Sequence, residues 1–209
     1  MKIIGIVILL IFYSIYLGKM ALQKRKGIQT DQIAKGKKKD KVFYIETILK
    51  IATYSVVLVE VISIYKFDRA ELAGVGFKSF NAFDSFFIAG AIIGFIGDGV
   101  FAMAVLTMKD SWRAGLAKGD ETKIVTNGIY KISRNPAFLG FDCVYLGILL
   151  MFFNWILLIF SAFAIIMLHL QILQEEQYLP DVFGEEYISY KGKVCRYIGR
   201  KRRYSAHGK

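Results

Sequence analysis

Phe138-Leu-Gly-Phe-Asp-Cys-Val-Tyr-Leu-Gly-Ile-Leu-Leu-Met-Phe-Phe-Asn154-Trp155-Ile-Leu-Leu-Ile-Phe-Ser-Ala-Phe-Ala-Ile-Ile-Met-Leu-His-Leu-Gln-Ile-Leu173 is apolar along almost its whole length. It is too long for a single membrane-crossing helix, which needs about 20 apolar residues. The polar break at Asn154, beside an interface-seeking Trp155, therefore reads as the tip of a helical hairpin.

Three further apolar stretches lie upstream. Ile3 to Tyr16 follows a single Lys2 and is followed by no small-x-small cleavage pattern, so it is expected to be a retained helix and not a signal peptide. Val42 to Tyr65 and Ala82 to Met108 each approach the length of a span. The expected fold is an all-α polytopic membrane helix bundle of about five transmembrane helices, the last two forming the hairpin, with a C-terminal helical segment outside the membrane. It divides into N-terminal membrane helices with a basic loop (1–108) and a C-terminal region with the helical hairpin and a basic tail (109–209).

Charge sets the expected orientation. Lys24, Arg25, Lys26, Lys35, Lys37, Lys38, Lys39 and Lys41 crowd the first loop, which the positive-inside rule holds in the cytoplasm, leaving the N-terminus outside. By alternation, Lys109 to Pro136 and Gln174 to Lys209 are also cytoplasmic, and these carry the chain's concentrated polar chemistry. The net charge of +11 thus follows topology, and no nucleic acid partner is expected, since 55% of the 209 residues are hydrophobic and no folded basic reading module is visible. Arg200, Lys201, Arg202 and Arg203 are placed to meet anionic membrane lipid or simply to be solvated. Cys143 and Cys195 have neither metal-ligand spacing nor a disulfide framework, and no metal site is expected.

Two blocks carry the chemistry. In Val125-Thr-Asn-Gly128-Ile-Tyr130-Lys-Ile-Ser-Arg134-Asn135-Pro136-Ala137-Phe138-Leu-Gly140, Gly128 permits a tight turn and Pro136 suits the first turn of a helix. Arg134 can meet a carboxylate in forked geometry, Tyr130 and Phe138 offer aromatic faces to a cation, and Gly140 allows close approach of a backbone or cofactor. The same residues also suit a snorkelling arginine, an interfacial aromatic belt and helix packing. In the second block, Gln171 and Glu175 are one turn apart on a helix that leaves the membrane, and Glu176 follows. Adjacent acids there need solvent or partners. Phe183-Gly184-Glu-Glu-Tyr187-Ile-Ser-Tyr190 continues the block.

In order and spacing these blocks resemble the isoprenylcysteine carboxyl methyltransferase family. That family shows a Gly-x-Tyr lead-in, Arg-His-Pro-x-Tyr-x-Gly, a paired-glutamate helix and Phe-Gly-x-x-Tyr-x-x-Tyr. Here they are Gly128-Ile-Tyr130, Arg134-Asn135-Pro136-Ala137-Phe138-Leu-Gly140, Glu175-Glu176 and Phe183 to Tyr190. The resemblance runs from about Ser111 to Ile198. It implies a cofactor, S-adenosylmethionine, bound by Lys123, Ile124, Val125, Tyr130, Arg134, Asn135, Pro136, Ala137, Phe138, Gly140 and Glu175. Arg134 and Glu176 are the catalytic candidates, with Glu176 or Tyr130 to take a proton where the acceptor has one to lose.

Two positions depart from the family. Asn135 replaces the usual histidine; it can donate and accept hydrogen bonds but cannot titrate near neutrality. Gln171, the substrate-binding candidate, replaces an arginine associated with substrate in the eukaryotic prenylcysteine enzymes, which argues against a prenylcysteine carboxylate. The acceptor is expected to be lipophilic or small, with carboxyl O-methylation implied by the family and phospholipid or amine N-methylation as the alternative. A nicotinamide-dependent membrane reductase and a non-enzymatic lipid-binding protein are the competing classes. Outside the blocks, His169 is expected in a polar packing contact, Gly90, Gly94 and Gly97 in close helix packing, and Glu46, Glu60, Asp84 and Asp98 lining a polar cavity or pairing with lysines such as Lys50. Trp112 and Arg113 read as interface anchors.

Overall fold

A computed structural model describes residues 1–30, 41–66, 80–113 and 123–201, and the side chains of 80–84 lie outside that description. Lys35, Lys37, Lys38 and Lys39 of the basic loop, the side chain of Asp84, and Arg202 and Arg203 of the tail fall outside the described residues.

Five α-helices account for most of the described chain: α1 Lys2–Arg25, α2 Lys41–Lys66, α3 Phe80–Met108, α4 Pro136–Met151 and α5 Trp155–Lys193. Short 3-10 turns occupy Lys109–Ser111 and Gly128–Lys131. Among the described residues, four helices are long and apolar enough to cross a membrane, and α4 is a shorter apolar helix. The protein is an all-α membrane bundle, as the spacing of apolar runs predicts. The first helix runs past Tyr16 to Arg25, because leucine, glutamine, lysine and arginine remain good helix formers after the apolar stretch ends. Its last turn is held by Gln23, which is buried and donates to the Trp112 carbonyl at 3.0 Å, and by Lys26, paired with Asp110 at 2.9 Å.

The hairpin tip forms at Asn154. Its side chain accepts from the Leu157 backbone N–H at 2.9 Å, capping α5, and donates to Ser63 Oγ of α2 at 2.9 Å. The α3–α4 contact is made by glycines: a Cβ on Gly97 would lie 2.9 Å from the Gly140 carbonyl oxygen, and one on Gly90 would lie 2.6 Å from that of Gly147. Without a hydrophobic drive between helices in lipid, backbones this close maximise dispersion contact. Phe12 of α1 stacks into the same core against Phe101 and Phe141, with centroids 4.6 and 4.7 Å away. The face of α2 bearing Leu49, Ala52 and Val56 packs on Ala164, Met167 and Leu168 of α5. Outward positions such as Ile51, Leu58, Ile159 and Ile166 are as apolar as the core, which suits a bilayer as solvent.

Candidate functional site

At 39 residues, α5 would measure about 58 Å if straight, far more than the ~30 Å hydrocarbon core. Its apolar part ends near Leu173, and beyond it Gly184 breaks the helix at φ 54°, ψ −136°, a conformation open to glycine and strained for other residues. The terminal segment packs on the Gly128–Lys131 turn, where Gly128 has φ 55°. Tyr190 donates its hydroxyl to the Tyr130 carbonyl at 2.6 Å, and Tyr187 Oη accepts from Arg134 Nη1 at 3.0 Å.

After α5 the chain closes a small turn, with Val194 bridged to Arg200, and lies along the entry to α4. The Arg134 N–H donates to the Cys195 carbonyl at 3.1 Å, and the Gly199 N–H donates to the Ile132 carbonyl at 2.8 Å. Asn135, the N-cap of α4, donates its side-chain amide to the Arg196 carbonyl at 3.1 Å, and Pro136 occupies the first helical position.

These elements surround a cavity of about 190 Å³. Of the predicted cofactor residues, Lys123, Ile124, Val125, Tyr130, Arg134, Asn135, Ala137, Phe138 and Glu175 line it. Pro136 is buried in the first turn of α4, and Gly140 packs against Phe101 and Gly97, so neither faces the cavity. Gln171 is also buried away from it, donating Nε2 to Glu175 Oε1 at 3.1 Å, as their one-turn spacing predicts.

Glu176 points elsewhere. It is 6% exposed and meets Arg134 Nη2 at 2.9 Å and Arg196 Nε at 2.9 Å through Oε1, with Arg196 Nη2 at 3.0 Å from Oε2. Burial pushes its pKa up, but the Arg196, Arg134 and Lys191 cations outweigh that and hold it below the usual carboxylate range. Glu175 behaves oppositely: burial pushes it up to about 7, against the hydrogen bond from Gln171 and with help from Glu46. Tyr130 is likewise pushed up by burial, beside Tyr190 and Glu175, so it is a hydrogen-bond donor and a poor base.

The sequence reading did not assign Trp112, Arg113, Tyr178, Phe183, Tyr187 and Tyr190 to the cavity, which all six line. Tyr178 and Val182 recur at three- and four-residue steps after Glu175, a helical face that could have been read. Trp112 and Arg113, which read in the sequence as interface anchors, line the wall, and the Trp112 carbonyl accepts from Gln23 of α1. His169 lies away from the cavity, with Nδ1 2.5 Å from Tyr197 Oη.

Residues 91–181 match the isoprenylcysteine carboxyl methyltransferase family. The chain is 34% identical over 82 residues to protein-S-isoprenylcysteine O-methyltransferase B of Arabidopsis thaliana, covering 38% of this chain and 41% of that relative. It is 36% identical over 78 residues to protein-S-isoprenylcysteine O-methyltransferase of Saccharomyces cerevisiae, covering 37% of this chain and 33% of that relative. The chain thus spans well under half the length of either relative.

Proposed function

We propose that this protein, whose residues 91–181 match the isoprenylcysteine carboxyl methyltransferase family, is an integral membrane methyltransferase that carries a methyl group from S-adenosylmethionine to a lipophilic or small acceptor. One observation supports it above the others. The cavity at the α5 exit joins an acid, Glu175, and cations, Lys123, Arg113 and Arg134, to aromatic side chains including Tyr130, Phe138 and Tyr178.

That donor set fits S-adenosylmethionine. Its ammonium calls for a carboxylate, its carboxylate for a lysine or arginine, and its sulfonium and adenine for aromatic faces. Arg134 Nε is buried and has no hydrogen-bond partner among the described residues, so the cavity wall holds a donor that a ligand oxygen can satisfy. When bound, S-adenosylmethionine supplies an electrophilic methyl group on sulfur. The chain's own residues bind and orient: Glu175 and the basic residues fix the charged end, and Tyr187 and Glu176 hold Arg134 in place. Trp112, Tyr130 and Phe138 exclude water from the reacting centre.

A carboxylate acceptor needs no base, and O-methylation is the reaction in the names of both relatives, as carboxyl methylation is in that of the matching family. For an acceptor with a proton to lose, Glu176 is not the base, because it lies outside the cavity lining and is held ionised in ion pairs. Amine N-methylation is the second reading, favoured by Gln171: an amide already bonded to Glu175 stands there, and not a cation that would draw a carboxylate. The cavity and the C-terminus are assigned to the cytoplasmic side and the N-terminus to the outside, on the distribution of lysine and arginine.

Calorimetric titration of the detergent-purified chain with S-adenosylhomocysteine tests the reading. Micromolar binding that Glu175→Ala and Arg134→Ala abolish is expected; absence of binding to folded wild type would remove the methyltransferase assignment and turn attention to a nicotinamide cofactor.

A further inference from the structure

Arg196 has no part in the cavity wall, yet it is tied to residues that do, directly to Asn135 and through Glu176 to Arg134. Its guanidinium forks onto Glu176, Nε to Oε1 at 2.9 Å and Nη2 to Oε2 at 3.0 Å, and the same Oε1 receives Arg134 Nη2 at 2.9 Å. Its backbone carbonyl receives the Asn135 side chain at 3.1 Å. Arg134 and Asn135 both line the cavity, and Arg134 is only 5% exposed.

Glu176 is therefore shared between two arginines. With Arg196 removed, Glu176 would keep Arg134 and the more distant Lys191 Nζ at 3.8 Å but lose its forked partner, so the anion that helps Tyr187 to orient Arg134 would be less firmly fixed. A forked pair has one geometry, whereas a lysine at 196 could meet the carboxylate only as a point charge. The turn carrying Arg196 is itself pinned to the entry of α4 by the Arg134–Cys195 and Ile132–Gly199 backbone bonds, so the pair is held on a rigid frame.

We propose that Arg196 is a positioning residue for the methyl-donor site: acting through Glu176, it orients Arg134 toward the bound ligand, while its carbonyl anchors Asn135 at the start of α4. This rests on the cavity being the S-adenosylmethionine site. It also gives Asn135 a task, donation to a carbonyl, that requires no titrating side chain.

The test is calorimetry with S-adenosylhomocysteine on the full chain in detergent, for wild type, Arg196→Gln, Arg196→Lys, Glu176→Gln, the Arg196→Gln/Glu176→Gln double variant and Arg200→Gln. Thermal unfolding is followed alongside. Arg200 is exposed on the same turn, and its replacement removes one positive charge without touching Glu176. The expectation is that Arg196→Gln weakens binding about tenfold, Arg196→Lys less, Arg200→Gln not at all, and that the double variant is no worse than Glu176→Gln alone. Wild-type affinity in Arg196→Gln, or full additivity in the double variant, would overturn the proposal while leaving the donor site standing. Where Arg196→Gln does not fold, wild-type affinity in folded Arg196→Lys would overturn the forked pairing by itself. No binding by wild type would remove the donor site and this role with it.

Discussion

Gly147 of α4 lies so close to α3 that a Cβ built on it would stand 2.7 Å from the Gly90 carbonyl oxygen and 2.7 Å from the Gly94 nitrogen. Both neighbours are backbone atoms of a helix, so neither can rotate away. Gly147→Ala is expected to push α3 and α4 apart at a cost of about 1–3 kcal/mol. Thermal unfolding in detergent checks this; an unchanged midpoint would mean that the two helices are not packed through their backbones.

Glu175 gives a pH dependence whose sign differs between the empty and the occupied protein. Its folded pKa, about 7, lies above the ~4.3 of an unfolded glutamate. The stabilising contribution is therefore complete below about pH 4 and is lost as pH rises through about 7. Binding of a ligand ammonium needs the ionised form, so affinity for S-adenosylhomocysteine rises over the same interval. Calorimetry and unfolding between pH 5 and 8, with Glu175→Gln as the comparison, should show both trends in wild type and neither in the variant.

The hairpin tip separates stability from binding. Asn154→Ala removes the cap on Leu157 and leaves Ser63 of α2 without its donor, at a cost of about 0.5–2 kcal/mol. Asn154 stands beyond the far end of α4 from Asn135, so the folded fraction should bind S-adenosylhomocysteine as wild type does. A weakened affinity at an unchanged unfolding midpoint would contradict this division.

Much of the bundle was legible because its signals are local. The run from Phe138 to Leu173 exceeds one bilayer crossing, and Asn154 is its polar break, so the hairpin follows from length and polarity alone. Arg134, Asn135, Phe138 and Glu175 were legible as cavity residues through the order and spacing of two motifs. Gly140 was not, because a glycine suits a cofactor's approach and a helix's approach equally well, and only its distance to Phe101 and Gly97 decides. Trp112 and Arg113 were read as interface anchors for a similar reason.

The sequence by itself determined the helices, the hairpin and the two segments that carry the chemistry, since each depends on residues close along the chain meeting one solvent. Only the tertiary structure separated Glu175 from Glu176. Consecutive helix residues point about 100° apart, so one carboxylate meets the cavity while its neighbour meets two arginines. Which faces which is set by how α5 is rotated in the bundle and by where Gly184 breaks it, bringing to one place residues that lie 20 and 42 positions from Glu176 in the chain.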